Sequence, residues 1–316
     1  MGPLFLGATG ASEGENAVFE DILSLYEQYD IVHIGERHWN MTDYDFRIKL
    51  INHPRFAEVV DDIVIESGNY LYQGLLDKYI LNLENVPEDR LSRVWRDTVL
   101  PTGVWDATIY KEFVHRVREV NERLPREQRI RLIAAEPPID WSNVNTAEQA
   151  ARFLSQRCTH ASRIVEAEVL KKNRKALIVY GGAHFYRSSN IVPDAGRLRA
   201  NLEERAGRRL FSILPLSGDD DFSRNYQNLA GPNQLPSFVR VNESVLASWP
   251  GGMFFAEAEG PLAGFTDGIL YFGQRPDSTA VYDPAAANDA AYQEELKRRK
   301  EIHSAIQRCA PPPATH

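Results

Sequence analysis

The chain has 316 residues, of which 43% are hydrophobic, 10% aromatic and 25% charged. These proportions are typical of a soluble globular protein with a substantial core, in one large domain or two average ones, and they exclude a disordered chain. The 36 basic and 44 acidic residues give a formal net charge of −8. This charge argues against a nucleic acid or an anionic membrane as the partner.

Cysteine content and hydropathy exclude two further classes. The two cysteines, Cys158 and Cys309, are too few for a disulfide framework and lack the paired spacing of a zinc site, so we expect no function for them. No apolar run reaches the roughly 18 residues of a membrane span, and the apolar segment 3–8 is too short for a signal peptide. The sequence predicts a soluble chain, either cytoplasmic or exported with its signal removed.

The first two thirds of the chain alternate between helical and strand patterns. Apolar residues at helical spacing predict a helix over residues 17–29. Continuously apolar segments then predict strands at residues 31–34, 63–65, 132–135, 176–180 and 210–214. Such segments are typical of strands covered on both faces. The predicted fold class is therefore α/β, with a mainly parallel central sheet flanked by helices on both faces.

The segments between these strands are long enough for helical crossovers. Residues 70–83, 87–97 and 108–124 predict three helices, and we expect this insertion, around residues 70–125, to act as a cap over one edge of the sheet. Thr146 and Gln149 form a capping box that predicts a helix to residue 154, followed by a more polar helix to about residue 172. We predict a single domain over residues 1–310 and a disordered tail at 311–316.

After residue 215 the pattern becomes irregular. Short strands are predicted at residues 237–241, 253–256 and 269–272, and a charged helix at residues 289–307. The acidic segment 219–221 lacks the spaced ligands of a calcium loop, so we interpret it as a solvated turn.

Carboxylates and imidazoles follow four of the predicted strands. Glu36 and His38 follow the first strand, Glu66 the second, Glu136 the third and His184 the fourth. Because functional groups gather beyond the carboxyl ends of parallel strands, we expect these side chains to share one site. Glycines at the same positions permit tight turns and the close approach of a ligand.

Two chemistries fit this set of residues. His38, Glu66 and His184 could bind a divalent metal ion that activates water. Without a metal, a histidine could act as general base while a glutamate orients its ring. Both lead to hydrolysis, and the spacing does not choose between them. His33 lies inside a strand and is predicted to be a hydrogen-bonded core residue, and Trp105 and Trp141 to be core or cap residues.

The order of these motifs resembles that of the superfamily of erythromycin esterase-like, ChaN-like and TIKI/TraB proteins. The resemblance rests on Gly35-x-x-His38, Glu66 and Gly181-x-x-His184, each after a strand. It implies that Glu36 lines the same site, and that Arg47 corresponds to a site arginine of the esterase-like members. Esterase-like members hydrolyse a macrolactone without an obligatory metal, TIKI-like members are metal-dependent peptidases, and ChaN-like members bind haem.

The spacing of Glu36 and His38 departs from the esterase pattern. These residues are two apart, whereas the esterases place them three apart, so the motif is nearer to the ChaN and TIKI form. We predict a hydrolase that cleaves an ester or amide of a small-molecule or peptide substrate. Its predicted catalytic residues are Glu36, His38, Glu66, Glu136 and His184, and its substrate-binding residues Arg37 and Arg47. The alternative is a non-catalytic protein that binds haem or another small ligand.

Overall fold

The computed structural model describes residues 11–187, 196–206, 210–231, 234–274 and 276–309. Residues 3–8 and the predicted disordered tail 311–316 lie outside this part of the chain. The strands are β1 (Ile31–Glu36), β2 (Asp62–Asn69), β3 (Arg131–Glu136), β4 (Ala176–Gly181), β5 (Leu210–Leu216), β6 (Ser237–Arg240) and β7 (Gly268–Tyr271). They form one sheet in the order β3-β2-β4-β1-β5-β7-β6. All neighbouring strands are parallel except β6, which runs antiparallel to β7 at one edge.

Helices precede the first strand, connect successive strands and come after the last strand. They are α1 (Glu13–Ser24), α2 (Met41–Ile51), α3 (Phe56–Val59), α4 (Gln73–Ile80), α5 (Glu88–Leu91), α6 (Arg93–Arg96), α7 (Thr108–Glu122), α8 (Ala147–Leu154), α9 (Arg157–Glu168), α10 (Arg197–Ala206), α11 (Asp221–Ala230), α12 (Pro284–Ala287) and α13 (Ala290–Cys309). Within the described residues, none of these helices has the length and apolarity needed to cross a membrane.

Both faces of the sheet are buried because alternate residues of each strand belong to two different apolar cores. In β1, Val32 and Ile34 pack into the core that includes α1, α2, α4 and α7. Ile31 packs into the opposite core, which includes α9 and α10. This arrangement explains the continuously apolar strands. It confirms the predicted α/β class with helices on both faces.

The helices between β2 and β3 cover one face of the sheet. Leu76 of α4, Val94 of α6 and Val117 of α7 are fully buried. They belong to the same core as Ile63 and Ile65 of β2. The buried residues of α7 follow the spacing expected of an amphipathic helix. The loop before α7 reaches the carboxyl edge of the sheet, where Trp105 packs against His38.

Local capping explains where two helices begin. Thr146 and Gln149 form the predicted capping box at the start of α8. An equivalent box between Ser12 and Glu15 starts α1 at Glu13, four residues before the predicted position. In both cases side chains satisfy backbone N–H groups that the first helical turn leaves unpaired.

The strand predicted at residues 253–256 is wrong. Residues Gly251–Met253 form a 3-10 helix, and Phe254 is buried in a separate apolar cluster beside β7. Both edges of β7 are already paired, with β5 and β6. The apolar residues of this segment therefore contribute to packing rather than to the sheet.

The acidic segment 219–221 is exposed, and Asp220 also caps α11 by accepting from the backbone N of Ser223.

The strand order predicts a crevice between β1 and β4. These neighbouring strands are followed by connections that run in opposite directions, from β1 to β2 and from β4 to β5. The helices of the two connections lie on opposite faces of the sheet. The loops after β1 and β4 therefore diverge, and ligands of open α/β sheets bind at such a point.

Candidate functional site

The predicted site residues lie at the carboxyl edge of the sheet, on both sides of this crevice. Glu36 and Glu136 end β1 and β3, and Glu66 lies in β2. His38 follows β1, and His184 lies in the 3-10 helix Gly182–Phe185 after β4. The contacts divide them into a β1 half (Glu36, His38 and Tyr110) and a β2–β4 half (Glu66, Glu136, Arg157 and His184).

In the β1 half, one carboxylate oxygen serves two neighbours. Glu36 Oε1 accepts a hydrogen bond of 2.7 Å from the Tyr110 hydroxyl and lies 3.2 Å from His38 Nδ1. The Glu36 side chain is 4% exposed, whereas that of His38 is 37% exposed. The ring of Trp105 packs edge-on against His38 at 4.9 Å. When Nδ1 donates to Glu36, the second ring nitrogen of His38 is left to accept a proton.

Electrostatics favour an ionised Glu36 next to a basic His38. Burial alone would raise the pKa of Glu36, but the hydrogen bond with His38 and the charge of Arg47 lower it below its usual value. Burial would lower the pKa of His38, but the hydrogen bond and the charge of Glu36 outweigh it and raise that pKa. The pair therefore has the form of a base with its orienting carboxylate.

In the β2–β4 half, a single arginine joins two buried carboxylates. Arg157 donates to Glu66 Oε1 at 2.8 Å through Nη2, and to Glu136 Oε1 at 2.8 Å through Nε. His184 Nε2 lies 3.2 Å from the same oxygen of Glu66. Glu66 Oε2 accepts from the backbone N of Gly181 at 2.7 Å. Every oxygen of Glu66 is thus engaged.

These contacts shift the pKa values of the two carboxylates in opposite directions. Burial would raise the pKa of Glu66, but the charges of His184 and Arg157 hold it well below its usual value. For Glu136 burial dominates over Arg157, and its pKa is raised. Burial would lower the pKa of His184, but Glu66 raises it to about 10. His184 is therefore an imidazolium at neutral pH.

The two halves meet at Gly181, the last residue of β4. A Cβ atom at this position would lie 3.3 Å from Glu66 Oε2 and 3.6 Å from His38 Nε2. The His38 ring therefore stands beside the backbone that binds Glu66. A side chain at this position would therefore crowd the Glu66 carboxylate and touch the His38 ring.

A cleft of about 360 Å³ opens beside the β1 half. Its lining includes Glu36 and Gly182, together with Phe254 and Phe255 from the segment predicted as a strand. Arg37 also lines the cleft, and its guanidinium donates to Asp43 at 3.1 Å, to Ser217 at 2.7 Å and to Asp277 at 2.9 Å. The predicted substrate-binding Arg37 is therefore a fixed part of the wall.

Arg47 lies behind Glu36 rather than in the cleft. Its residue is 3% exposed, and it lines a small closed cavity together with Glu36, Tyr44, Ser67 and Tyr110. Its charge acts on Glu36, whose pKa it lowers. The structure therefore places Arg47 where it supports the β1 half from inside the protein.

The predicted metal ligands do not fit a divalent ion in this arrangement. Among the described residues, no group of three or more His, Cys, Asp or Glu side chains could hold a metal ion. Glu66 already accepts from a guanidinium, an imidazolium and a backbone N–H. A metal ion on Glu66 would have to lie next to two positive groups, which is unfavourable.

His33 and Trp141 are core residues, as predicted. His33 bonds to Ser212 Oγ at 2.9 Å and to the carbonyl of Tyr180 at 3.1 Å, and stacks on Phe185. Burial lowers the pKa of His33 to about 3, so this ring stays neutral. Trp141 is 3% exposed and donates to the carbonyl of Thr98.

Sequence reasoning missed Arg157 and Tyr110. Arg157 is the first residue of α9, where no motif distinguishes it from other arginines. Tyr110 lies in the first turn of α7, next to the apolar stripe that begins at Ile109. A tyrosine on the buried side of a helix needs a partner for its hydroxyl, and this requirement was the available signal.

No protein-family model and no curated protein sequence matches the chain. Solved structures do match it, and three of them share a TM-score of 0.55. A Bacillus cereus protein is 12% identical, with 86% of this chain and 94% of that chain covered. A succinoglycan biosynthesis protein is 10% identical, with 86% and 100% covered. A mutant of erythromycin esterase EreC in its open conformation is 11% identical, with 84% and 94% covered.

At these identities the likeness shows the fold alone. The chain has the fold of erythromycin esterase, over most of the length of both chains. The predicted resemblance to erythromycin esterase-like proteins is thereby confirmed at the level of the fold. A shared fold does not imply a shared function, which depends on the residues of the site.

Proposed function

We propose that this protein is a hydrolase that cleaves an ester or amide bond with a water molecule activated by His38. The observation that carries the proposal is the chain of contacts from Tyr110 through Glu36, which lines the cleft, to the partly exposed imidazole of His38. A buried carboxylate that orients a histidine is the arrangement used to make that histidine a general base. The erythromycin esterase that shares the fold supports the ester class.

His38 acts as the base, and Glu36 holds its ring. Water on the side of the second ring nitrogen gives its proton to His38 and attacks the carbonyl carbon. Glu36 then faces an imidazolium, whose charge it stabilises across the 3.2 Å contact. Tyr110 prevents Glu36 from turning away, because its hydroxyl bonds the same carboxylate oxygen.

The charges of the site favour the transition state. Three carboxylates and three cations interact within the two halves of the site: Glu36, Glu66, Glu136, Arg47, Arg157 and His184. With His38 neutral, their formal charges sum to zero. Protonation of His38 therefore adds one positive charge when the carbonyl oxygen becomes negative, and preorganised charges of this kind stabilise such a transition state.

His184 completes the proposed chemistry from the other side of the crevice. It is an imidazolium whose pKa is about 10, and its Nε2 contacts Glu66, so it contributes a positive charge to the site rather than acting as a base. The site needs a neutral His38 and a protonated His184. Activity is then confined between the pKa of His38, above 6.5, and that of His184.

The experiment compares two histidines that each contact a glutamate. His38→Gln removes the base, and kcat on a panel of ester, lactone and peptide substrates is expected to fall by roughly 10²–10⁴-fold. His115 is the matched control, since it contacts the Tyr79 hydroxyl at 2.6 Å and Glu88 at 3.5 Å outside the site. His115→Gln is expected to keep full activity.

Two further measurements separate the alternatives. Activity that survives His38→Gln would remove His38 as the base, and activity lost on chelation and restored by a divalent metal would contradict the metal-free mechanism. Haem is titrated into the same preparation. A saturable absorbance shift in a protein that turns over no substrate would replace the hydrolase by the haem-binding alternative.

A further inference from the structure

His38 lies in a tight turn directly after β1. The backbone N of Asn40 donates to the carbonyl of Arg37 at 3.0 Å, so residues 37–40 form a β-turn with His38 and Trp39 at its two central positions. Trp39 has a φ of 67°, in the left-handed region. A turn with positive φ at its second central position normally carries glycine or asparagine there. A tryptophan at this position is therefore strained.

The strained conformation of Trp39 is held by three hydrogen bonds. Its carbonyl accepts from the backbone N of Ala280 at 2.7 Å, its indole Nε1 donates to the carbonyl of Val104 at 2.6 Å, and its backbone N donates to the Tyr110 hydroxyl at 3.4 Å. Backbone strain persists only where the surrounding structure imposes it, and it clusters at functional sites. Three separate segments of the chain impose it here.

Two of these hydrogen bonds lead back to His38. The Tyr110 hydroxyl also donates to Glu36, whose carboxylate lies 3.2 Å from His38 Nδ1. The carbonyl that accepts from the indole belongs to the residue before Trp105, whose ring packs edge-on against His38 at 4.9 Å. Trp39 therefore joins the turn to two of the groups that contact the His38 ring.

The contact with Ala280 belongs to a longer connection. The segment 277–283 forms an isolated antiparallel bridge with Asn40 of the turn and a second one with Ala107, in the loop that carries Trp105. The turn and this loop are thus fastened to one another twice, by the indole hydrogen bond and by the segment that bridges both.

We propose that Trp39 is a positioning residue for the hydrolysis proposed above, on which this inference rests. Its left-handed backbone sets the direction in which the chain leaves His38, and its indole holds the loop whose Trp105 supports the ring of that histidine. A general base must be held within hydrogen-bond reach of the water that it activates, and small misplacements cost much of the rate. Trp39 acts on the reaction only through His38.

The first test concerns the backbone and needs no substrate. Glycine adopts a φ of 67° without strain, whereas alanine does not. Trp39→Gly is therefore expected to have a Tm about 2 °C or more above that of Trp39→Ala. Leu83, whose φ is 58°, provides a control pair outside the site, and Leu83→Gly and Leu83→Ala should show the same order. A Trp39→Ala variant as stable as Trp39→Gly would overturn the proposal.

The second test measures kcat and KM separately, on the substrate that the wild type turns over best. Trp39→Phe removes the indole N–H, and kcat is expected to fall about 10-fold with KM little changed. Trp141→Phe is the matched control and should keep full activity, because that indole donates to the carbonyl of Thr98 at 3.0 Å, outside the two halves of the site. Trp39→Gly should keep a kcat several-fold above that of Trp39→Ala, since its backbone still fits the turn.

The outcomes separate a failure of this inference from a failure of the proposed function. Turnover by the wild type with an unchanged kcat in Trp39→Phe and Trp39→Ala would overturn the positioning role alone. A change confined to KM, or an equal loss in Trp141→Phe, would do the same. A wild type that turns over no ester, lactone or peptide would overturn the proposed hydrolysis and this inference with it.

Discussion

The β1 half and the β2–β4 half of the site each contain a histidine next to a glutamate, yet their environments differ. Glu36 is supported by a neutral hydroxyl and faces a histidine that is 37% exposed. Glu66 is supported by a guanidinium and a backbone N–H, and its histidine is 22% exposed. The same pair of residue types is thus placed once beside the cleft and once deeper in an ion network.

This difference indicates that the partners of the glutamate, rather than the His–Glu contact itself, separate a base from a fixed cation. The pKa of both histidines is raised, but that of His184 reaches about 10. The network around Glu66 stabilises charge, whereas the β1 half leaves one histidine able to exchange a proton. Substitutions that alter one half should therefore have different consequences from matched substitutions in the other.

Removal of Arg157 should have the largest effect, and on stability. Arg157→Met leaves Glu66 and Glu136, which are 2% and 1% exposed, without their shared cation. Breaking a buried ion pair from one side costs about 3–5 kcal/mol. Urea unfolding measures the loss. Arg224→Met, which removes exposed ion pairs with Asp219 and Asp221, is the control, and it is expected to leave the unfolding free energy almost unchanged. Equal costs would show that the network is not a buried one.

The pH dependence of stability should report the β2–β4 half. The pKa of His184 is about 10 in the folded protein and 6.5 in its usual range. The stabilisation is therefore complete below pH 6.5 and is lost as the pH rises through 10, by a few kcal/mol at most. Unfolding free energies measured across this interval should decline in the wild type and decline less in His184→Gln. Parallel curves would place the titration elsewhere.

Tyr110 should matter for activity more than for the ion network. Tyr110→Phe removes the hydrogen bond to the ionised Glu36, and bonds to charged groups contribute about 1.5–3 kcal/mol. We expect kcat/KM to fall by about 10-fold or more, with KM little changed. Tyr79→Phe is the matched control, because that hydroxyl bonds His115 outside the site. A similar loss in both variants would assign the effect to packing.

The smallest effect is expected for Glu136. Its pKa is raised by burial, whereas that of Glu66 is held well below its usual value. Because burial makes the charge of Glu136 less favourable than that of Glu66, Glu136→Gln should cost only about 1 kcal/mol of unfolding free energy, and Glu66→Gln clearly more. Thermal and urea unfolding of both variants make the comparison. A larger cost for Glu136→Gln than for Glu66→Gln would contradict the opposite directions of the two pKa shifts.

Much of the fold could be predicted because strong local patterns repeat along the chain. The apolar segments of β1 to β5 and the stripe of α7 are visible in the sequence, and each matches an observed element. The segment at residues 253–256 is equally apolar but forms no strand, because β5 and β6 already pair with β7. Pairing of this kind depends on the whole sheet and has no local signal.

The sequence by itself determined the α/β class and the gathering of Glu36, His38, Glu66, Glu136 and His184 at one edge, because parallel strands bring their carboxyl ends together. Only the tertiary structure decided how these groups are divided. Arg157 reaches the site from α9 and Tyr110 from α7, each from a segment distant in sequence. Charge states depend on burial and on such distant partners, and neither can be deduced from the spacing of residues along the chain.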